Sequence, residues 1–309
     1  MTGDQNGTFQ AVQSALTGPF DTIRTPFLQD GSIDEQGVRK MIDLMLSAGA
    51  QVTMLTVGNS HFHCMTVREI ERLTELAVEH TANRAMVVAA DYQFATDKAV
   101  EFARYCASTG VDVLMLRPPE WDGTSLTVES LVEHFAAVGR HIPVMMVTNI
   151  FMGRAELGLE AIAAIRDRVD SVVAVKEDLG GVFAQNVCAL VHGRWAVVAG
   201  GGWRSHLNML PFGCDGFMCK FMSFSPAVTG RYWEAVKSGD MSKAVALNRQ
   251  IDMALETFMA GFPGGRDAAI HGLFEIFGIA QRWRRKPYHS LTDQQMQKLR
   301  GYVRQQQWC

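Results

Sequence analysis

The stretch VVAVKED, residues 172–178, decides how the chain folds. Four small and β-branched apolar residues run without a break, which is how a strand buried on both faces reads. The run then ends on a lysine and two acids. In strand alternation Val172, Ala174 and Lys176 share one face. A parallel sheet covered by helices would therefore hold Lys176 at the end of an otherwise apolar row.

The same pattern extends in both directions. AMVVAA (85–90), VDVLMLR (111–117) and PVMMVTN (143–149) precede it, behind shorter runs at 21–26 and 51–57; runs at 196–199 and 216–218 follow. Between them lie stretches with helical spacing at 34–48, 66–81, 95–109, 128–139, 159–169, 182–191, near 205–210, and 228–237. Thr66 and Glu69 give the second of these a capping box. Eight strand–helix units recurring at roughly 25–30 residues predict a closed (β/α)8 TIM barrel rather than an open sheet. Residues 1–238 are expected to form the barrel with a short N-terminal extension. Residues 239–309 are expected to form an α-helical appendage packed on it, with helices over 241–259, 265–277 and 292–306.

Composition narrows the function classes. A chain of 309 residues with 48% apolar and 20% charged residues is ordinary for a globular enzyme, and its net charge of -3 offers no basic face for nucleic acid. No apolar run approaches the ~18 residues of a membrane span. The first residues lack the basic and apolar regions of a signal peptide. Cys64, Cys106, Cys188, Cys214 and Cys219 lie mostly in apolar surroundings without CxxC spacing, as reduced thiols of a cytoplasmic protein would.

Barrels of this kind do chemistry at the C-terminal ends of their strands. Those ends carry Gly58-Asn59-Ser60-His61 after strand 2, Glu120-Trp121 after strand 4, Thr148-Asn149 after strand 5, Lys176-Glu177-Asp178 after strand 6 and Gly200-Gly201-Gly202 after strand 7. An amine desolvated there is favoured in its uncharged form, which attacks carbonyls. The plain alternative is a solvated lysine at a strand end.

Several motifs bear on that choice. Thr25-Pro26-Phe27 precedes Asp30-Gly31-Ser32-Ile33-Asp34; Val173-Ala174-Val175-Lys176-Glu177 ends strand 6; Gly200 ends strand 7; Gly213-Cys214-Asp215-Gly216 opens strand 8. In this order they resemble the dihydrodipicolinate synthase / N-acetylneuraminate lyase family of class I aldolases and dehydratases, from about Gly18 to the last helix. The resemblance implies that Lys176 is a Schiff-base lysine. It also implies that the loop of Gly58, Asn59 and Ser60 holds the carboxylate of a 2-oxo acid. Gly200, Met218 and Trp121 complete the expected substrate contacts.

Two features depart from the family pattern. His61 stands where the strand-2 loop has an acid, and both usual tyrosines are absent: Thr148 or a neighbour replaces the one after strand 5, and Trp121 the one after strand 4. His61, whose side chain titrates near neutrality, and Thr148 are therefore the candidate catalytic partners of Lys176. No cofactor is implied. His61, His63 and Cys64 show no fourth ligand, so no metal site is expected from them. The expected activity is a Schiff-base lyase, a dehydratase or an aldolase, acting on a 2-oxo acid such as pyruvate or a 3-deoxy-2-oxo sugar acid. The alternatives are condensation of pyruvate with an aldehyde and a non-catalytic 2-oxo-acid binder on the same scaffold. The resemblance further implies a homo-oligomer, a dimer or tetramer.

Overall fold

In the computed structural model, which describes residues 3–93, 95–118 and 125–306, eight parallel strands form one sheet ordered β1-β8-β7-β6-β5-β4-β3-β2. The strands are β1 Gly18–Phe20, β2 Val52–Met54, β3 Met86–Ala90, β4 Val113–Leu116, β5 Val144–Val147, β6 Val172–Glu177, β7 Ala196–Ala199 and β8 Gly216–Met218. The two ends of this order meet where Thr22 bridges Met54 and Ile23 N donates to Met54 O at 2.8 Å. The sheet thus closes into a (β/α)8 barrel. From β4 to β8 every strand residue is buried. Helices α2 Glu35–Ser47, α3 Val67–Thr81, α4 Thr96–Thr109, α5 Val128–Gly139, α6 Ala155–Arg168, α7 Gly181–Val191, α8 Gly202–Met209 and α10 Pro226–Lys237 surround it. A one-turn α9, Phe221–Phe224, lies between β8 and α10.

Three elements differ from the sequence reading. The first ladder is Gly18–Phe20, not 21–26, because β8 is only three residues long and pairing ends at Phe20↔Met218. Asp21 then turns into a buried contact, accepting from Thr22 N at 2.8 Å and Ser223 Oγ at 2.7 Å. The N-terminal extension forms a helix, α1 Gly3–Leu16, which buries Phe9, Val12 and Leu16 and is tied to the start of β8 by Gln13 Nε2 donating to Asp215 Oδ1 at 2.9 Å. Approach there is close: a Cβ at Gly216 would lie 1.8 Å from Leu16 O. Finally, the helix read over 241–259 is broken by a π-helical turn. It runs as α11 Met241–Leu247, the turn Asn248–Asp252, and α12 Met253–Ala260. The extra residue in such a turn re-aims the helix face, and Asp252 here meets Lys220 of the barrel.

The last helices are α13 Gly265–Ile276 and α14 Asp293–Gln305. Arg285, in the segment between them, anchors this region to the barrel loops. Its guanidinium donates to Gly31 O at 2.7 Å, Cys64 O at 2.9 Å and both oxygens of Glu69 at 2.7 and 3.0 Å. Glu69 also caps α3 by accepting from Thr66 N at 2.8 Å.

The hydrogen bonds from Arg285 hold the Glu69 carboxyl at about 2, below the ordinary 4.5. A depressed carboxyl contributes stability that is present above its unfolded value and lost as pH falls through the folded one. Glu69→Gln should therefore flatten the fall of the urea midpoint between about pH 4.5 and 2. Parallel curves for the two proteins would show that the Arg285 anchor adds nothing to acid stability.

Candidate active site

β6 carries Lys176 into the upper end of the barrel, in register with Val147 of β5 and Val198 of β7. The side chain is buried, with the residue 7% exposed. A buried ammonium requires a partner, and Asp178 provides it. Both carboxylate oxygens of Asp178 accept from Lys176 Nζ, Oδ2 at 2.6 Å. Asp178 is the first residue after β6, two positions beyond the amine, so the partner comes from the turn that directly follows the strand.

The turn after β6 is built to hold Asp178 there. Thr148 N donates to Lys176 O at 3.2 Å, while its hydroxyl accepts from Asp178 N at 3.1 Å and donates to Glu177 Oε1 at 3.2 Å. Glu177 points to the other face and accepts from Leu179 N at 2.8 Å and Gly180 N at 2.9 Å. Burial raises its carboxyl above the ordinary value, against the pull of those backbone donors. Gly200 supplies the last condition. A Cβ there would stand 1.8 Å from Asp178 Oδ1 and 2.9 Å from Lys176 Nζ. Only glycine leaves room for the ion pair.

A cavity of about 630 Å³ opens between the barrel mouth and the C-terminal helices. Gly58, Asn59, Gly200 and Met218 line its barrel side, and Asp252, Glu256 and Asp267 its helical side. Arg24 and Arg204 also face it. Lys220 lies in the same wall, ion-paired to Asp252 and to Glu256 at 2.7 Å. Burial opposes its charge, but the two carboxylates outweigh that and hold it charged above the ordinary range. It is therefore a poorer nucleophile than its position suggests.

The loop after β2 spends most of its polar groups on itself. Ser60 Oγ donates to Ile23 O at 2.6 Å and accepts from Thr56 N at 3.0 Å. Asn59 N donates to Thr56 Oγ1 at 3.1 Å, and its side-chain amide to Thr22 Oγ1 at 2.9 Å. Ser60 is thus a staple between the β1 and β2 segments. Gly58 and Asn59 still face the cavity. His61 takes a left-handed conformation, φ 60°, and is 2% exposed, with its Nε2 3.0 Å from Nε2 of His271 on α13. Burial pushes the His61 imidazole down to about 4. His63 packs edge-on to Tyr288, and Cys64 Sγ lies 3.2 Å from His61 O. Glu120 and Trp121 lie outside the described residues.

A family model described as the dihydrodipicolinate synthetase family matches residues 15–306. The chain belongs to this family. Among its relatives, a 4-hydroxy-tetrahydrodipicolinate synthase from Bartonella bacilliformis is 23% identical over 258 residues, covering 82% of this chain and 87% of that one. Of the solved structures, N-acetylneuraminate lyase from Fusobacterium nucleatum superposes with a TM-score of 0.82 at 16% identity, over 94% of this chain and 99% of that one. The E. coli K12 prophage protein YagE, solved in complex with pyruvate, gives 0.78 at 19%, over 95% and 99%.

For this member of the dihydrodipicolinate synthetase family, the structure brings Lys176, Thr148 and Gly200 into one cluster and sets Gly58, Asn59 and Met218 on the adjoining cavity. It places His61 in a separate contact with α13. Asp178, which sequence reasoning set at a strand end without a role, is the residue it adds. Its signal was available: a carboxylate stands two positions after a strand-end lysine.

Ser60→Ala would leave a buried carbonyl and a buried N–H without their partner. Each such loss costs about 1–3 kcal/mol. Thermal or urea unfolding should register a loss in that range, while Asn59→Ala, at the partly exposed cavity edge, should cost less. Equal stability of wild type and Ser60→Ala would remove the stapling role.

Proposed function

We propose that the protein is a lyase that forms a Schiff base between Lys176 and the carbonyl of a 2-oxo acid. The observation that carries this reading is the Lys176–Asp178 pair, buried at the end of β6 beside a glycine that lines the cavity. Membership of a family whose relatives include 4-hydroxy-tetrahydrodipicolinate synthases, and likeness to a protein solved with pyruvate, support it.

In this reading Asp178 takes a proton from the Lys176 ammonium, and the free amine attacks C2. The carbinolamine hydroxyl then leaves as water, carrying a proton returned by Asp178, and an iminium remains. The iminium acidifies C3. Asp178, now a carboxylate again and no longer matched by an ammonium, accepts the C3 proton to give the enamine. The enamine expels a C4 hydroxyl as water, protonated by the Asp178 carboxylic acid, or attacks an aldehyde carbon to form a C3–C4 bond. In the cleavage direction the iminium itself takes up the C3–C4 electron pair as the C4 hydroxyl gives its proton to the Asp178 carboxylate, and the enamine results directly. Hydrolysis of the iminium frees the product and restores Lys176. Gly58 and Asn59 border the carboxylate end, where Arg24 and Arg204 supply positive charge. Thr148 acts through Asp178, fixing the turn that aims it. His61, held against His271, is remote in role from the proton carried at C3. A 3-deoxy-2-oxo sugar acid fits the dehydrating branch, and the cavity has room for its hydroxylated tail.

Borohydride reduction in the presence of pyruvate should add one pyruvyl unit to Lys176, located by peptide mass. Lys176→Ala should abolish the adduct and keep the fold. Trapping that persists in this variant would make another lysine the nucleophile.

Asp178→Asn separates the roles further. It leaves the hydrogen-bonding shape but cannot take a proton, so exchange of the C3 protons of pyruvate with deuterated solvent should fall by about 10²–10⁴-fold. Adduct formation should slow less at pH values where solvent base assists. Exchange at the wild-type rate would place the base elsewhere.

A further inference from the structure

Outside the Lys176 cluster, one group of metal-ligating side chains stands out among the described residues. His61 Nε2 and His271 Nε2 are 3.0 Å apart, His61 Nε2 is 3.7 Å from Asp267 Oδ2, and the three ligand atoms all lie within 4.8 Å of one another. We propose that His61, Asp267 and His271 form a binding site for a divalent first-row transition metal, with zinc the ion that suits the donors best.

The three residues come together for identifiable reasons. Asp267 and His271 are one turn apart on α13 and share a face of that helix. His61 arrives from the loop after β2, and its left-handed backbone, rare for a residue other than glycine, turns the ring toward α13. Ligands 2.0–2.1 Å from a tetrahedral ion stand about 3.3 Å apart. The separations from His61 Nε2, 3.0 Å to His271 and 3.7 Å to Asp267, straddle that value, and all three ligand atoms lie within 4.8 Å of one another, so closing on an ion takes side-chain adjustment of at most about 1.5 Å at any pair.

A simple imidazole pair is the competing account. One N–H···N hydrogen bond would satisfy the two facing Nε2 atoms. It leaves Asp267 Oδ2 at 3.7 Å, beyond hydrogen-bond reach of His61, with its ion pair to Arg284 as its contact in the structure. A cation between them engages all three. Arg284 donates to Asp267 Oδ2, as a second partner often does for a ligating carboxylate. Two nitrogens and one oxygen do not suit calcium or magnesium, which take oxygen ligands. Both match zinc, as do three protein ligands with a fourth position open. Asp267 lines the cavity while both histidines are buried. The fourth ligand, water or an oxygen of a bound acid, would therefore enter from the cavity side. The site does not depend on Schiff-base chemistry at Lys176, and its test reads the metal directly.

The full-length chain, free of any histidine tag, should bind one equivalent of Co²⁺, with the visible absorption of a four- or five-coordinate ion, and Zn²⁺ should displace it. His271→Gln and Asp267→Asn should each weaken binding by more than the ~10–100-fold that outer partners are worth. His63→Ala and Cys64→Ser should bind as wild type does. Should His271→Gln not fold by circular dichroism, His61→Asn carries the same expectation, since asparagine tolerates the left-handed backbone. Failure of the folded wild-type chain to take up Co²⁺ overturns the proposal. So does full binding by a folded ligand variant, or loss of binding in His63→Ala.

Discussion

The ion pair between Lys176 and Asp178 sets the terms for the upper end of the barrel. An ammonium removed from water without a counter-charge is costly enough that the side chain would neutralise or leave. Here the counter-charge comes from the residue that follows the strand, two positions on, so no distant loop supplies it. That economy has consequences around it. The residue after β7 must lack a Cβ, because Gly200 lies against both members of the pair. The turn after β6 must be rigid, and Thr148, Glu177 and two backbone N–H groups make it so. A residue that looks like a reaction partner, Thr148, is occupied in holding another in place.

Charge at the mouth is divided into separate sets. Lys220 answers to Asp252 and Glu256, and Glu256 also meets Arg266 at 2.8 Å. Arg284 answers to Asp267. The π-helical turn in the 241–260 segment is what presents Asp252 to Lys220. With that lysine neutralised by the helical region, the barrel holds two lysines near its mouth in different electrostatic states. Lys220 has two carboxylates that hold it charged; Lys176 has a single one, from Asp178. Their positions at strand ends do not distinguish them, but their partners do.

The barrel was legible because parallel strands covered on both faces must be apolar throughout, and that pattern recurs unit by unit. Lys176 was legible for the same reason, as a charge closing an apolar row. Strand 1 was read too late because Gly18-Pro19-Phe20 is short and begins with two turn-forming residues, whereas its length is set by β8, which lies almost two hundred residues away in sequence. The N-terminal helix was missed because only a few of its residues, Phe9, Val12 and Leu16 among them, face the core. The fate of Ser60 could not be read locally: its hydroxyl is used by Ile23, 37 residues earlier. The contact between His61 and His271 spans 210 residues and has no local trace. Asp267 and His271 lie within the helix read over 265–277, where nothing in the sequence marked them.

Under the proposed mechanism Asp178 carries the proton that a tyrosine hydroxyl would otherwise carry. A phenol reaching in from the β4 or β5 loop must be positioned by that loop and must share a proton with the substrate across a gap. A carboxylate in the turn after β6 is held next to Lys176 by short-range bonds, with Asp178 N donating to Thr148 Oγ1. The Thr148 hydroxyl on the β5 side is used to hold that turn. In the β2 loop, Ser60 Oγ is likewise turned inward and staples the barrel seam between β1 and β2. That seam is the one junction of the barrel without a ladder, joined by a single bridge at Thr22 and Met54. A buried hydroxyl that bonds Ile23 O on one side and Thr56 N on the other ties the two segments together where strand pairing is weakest.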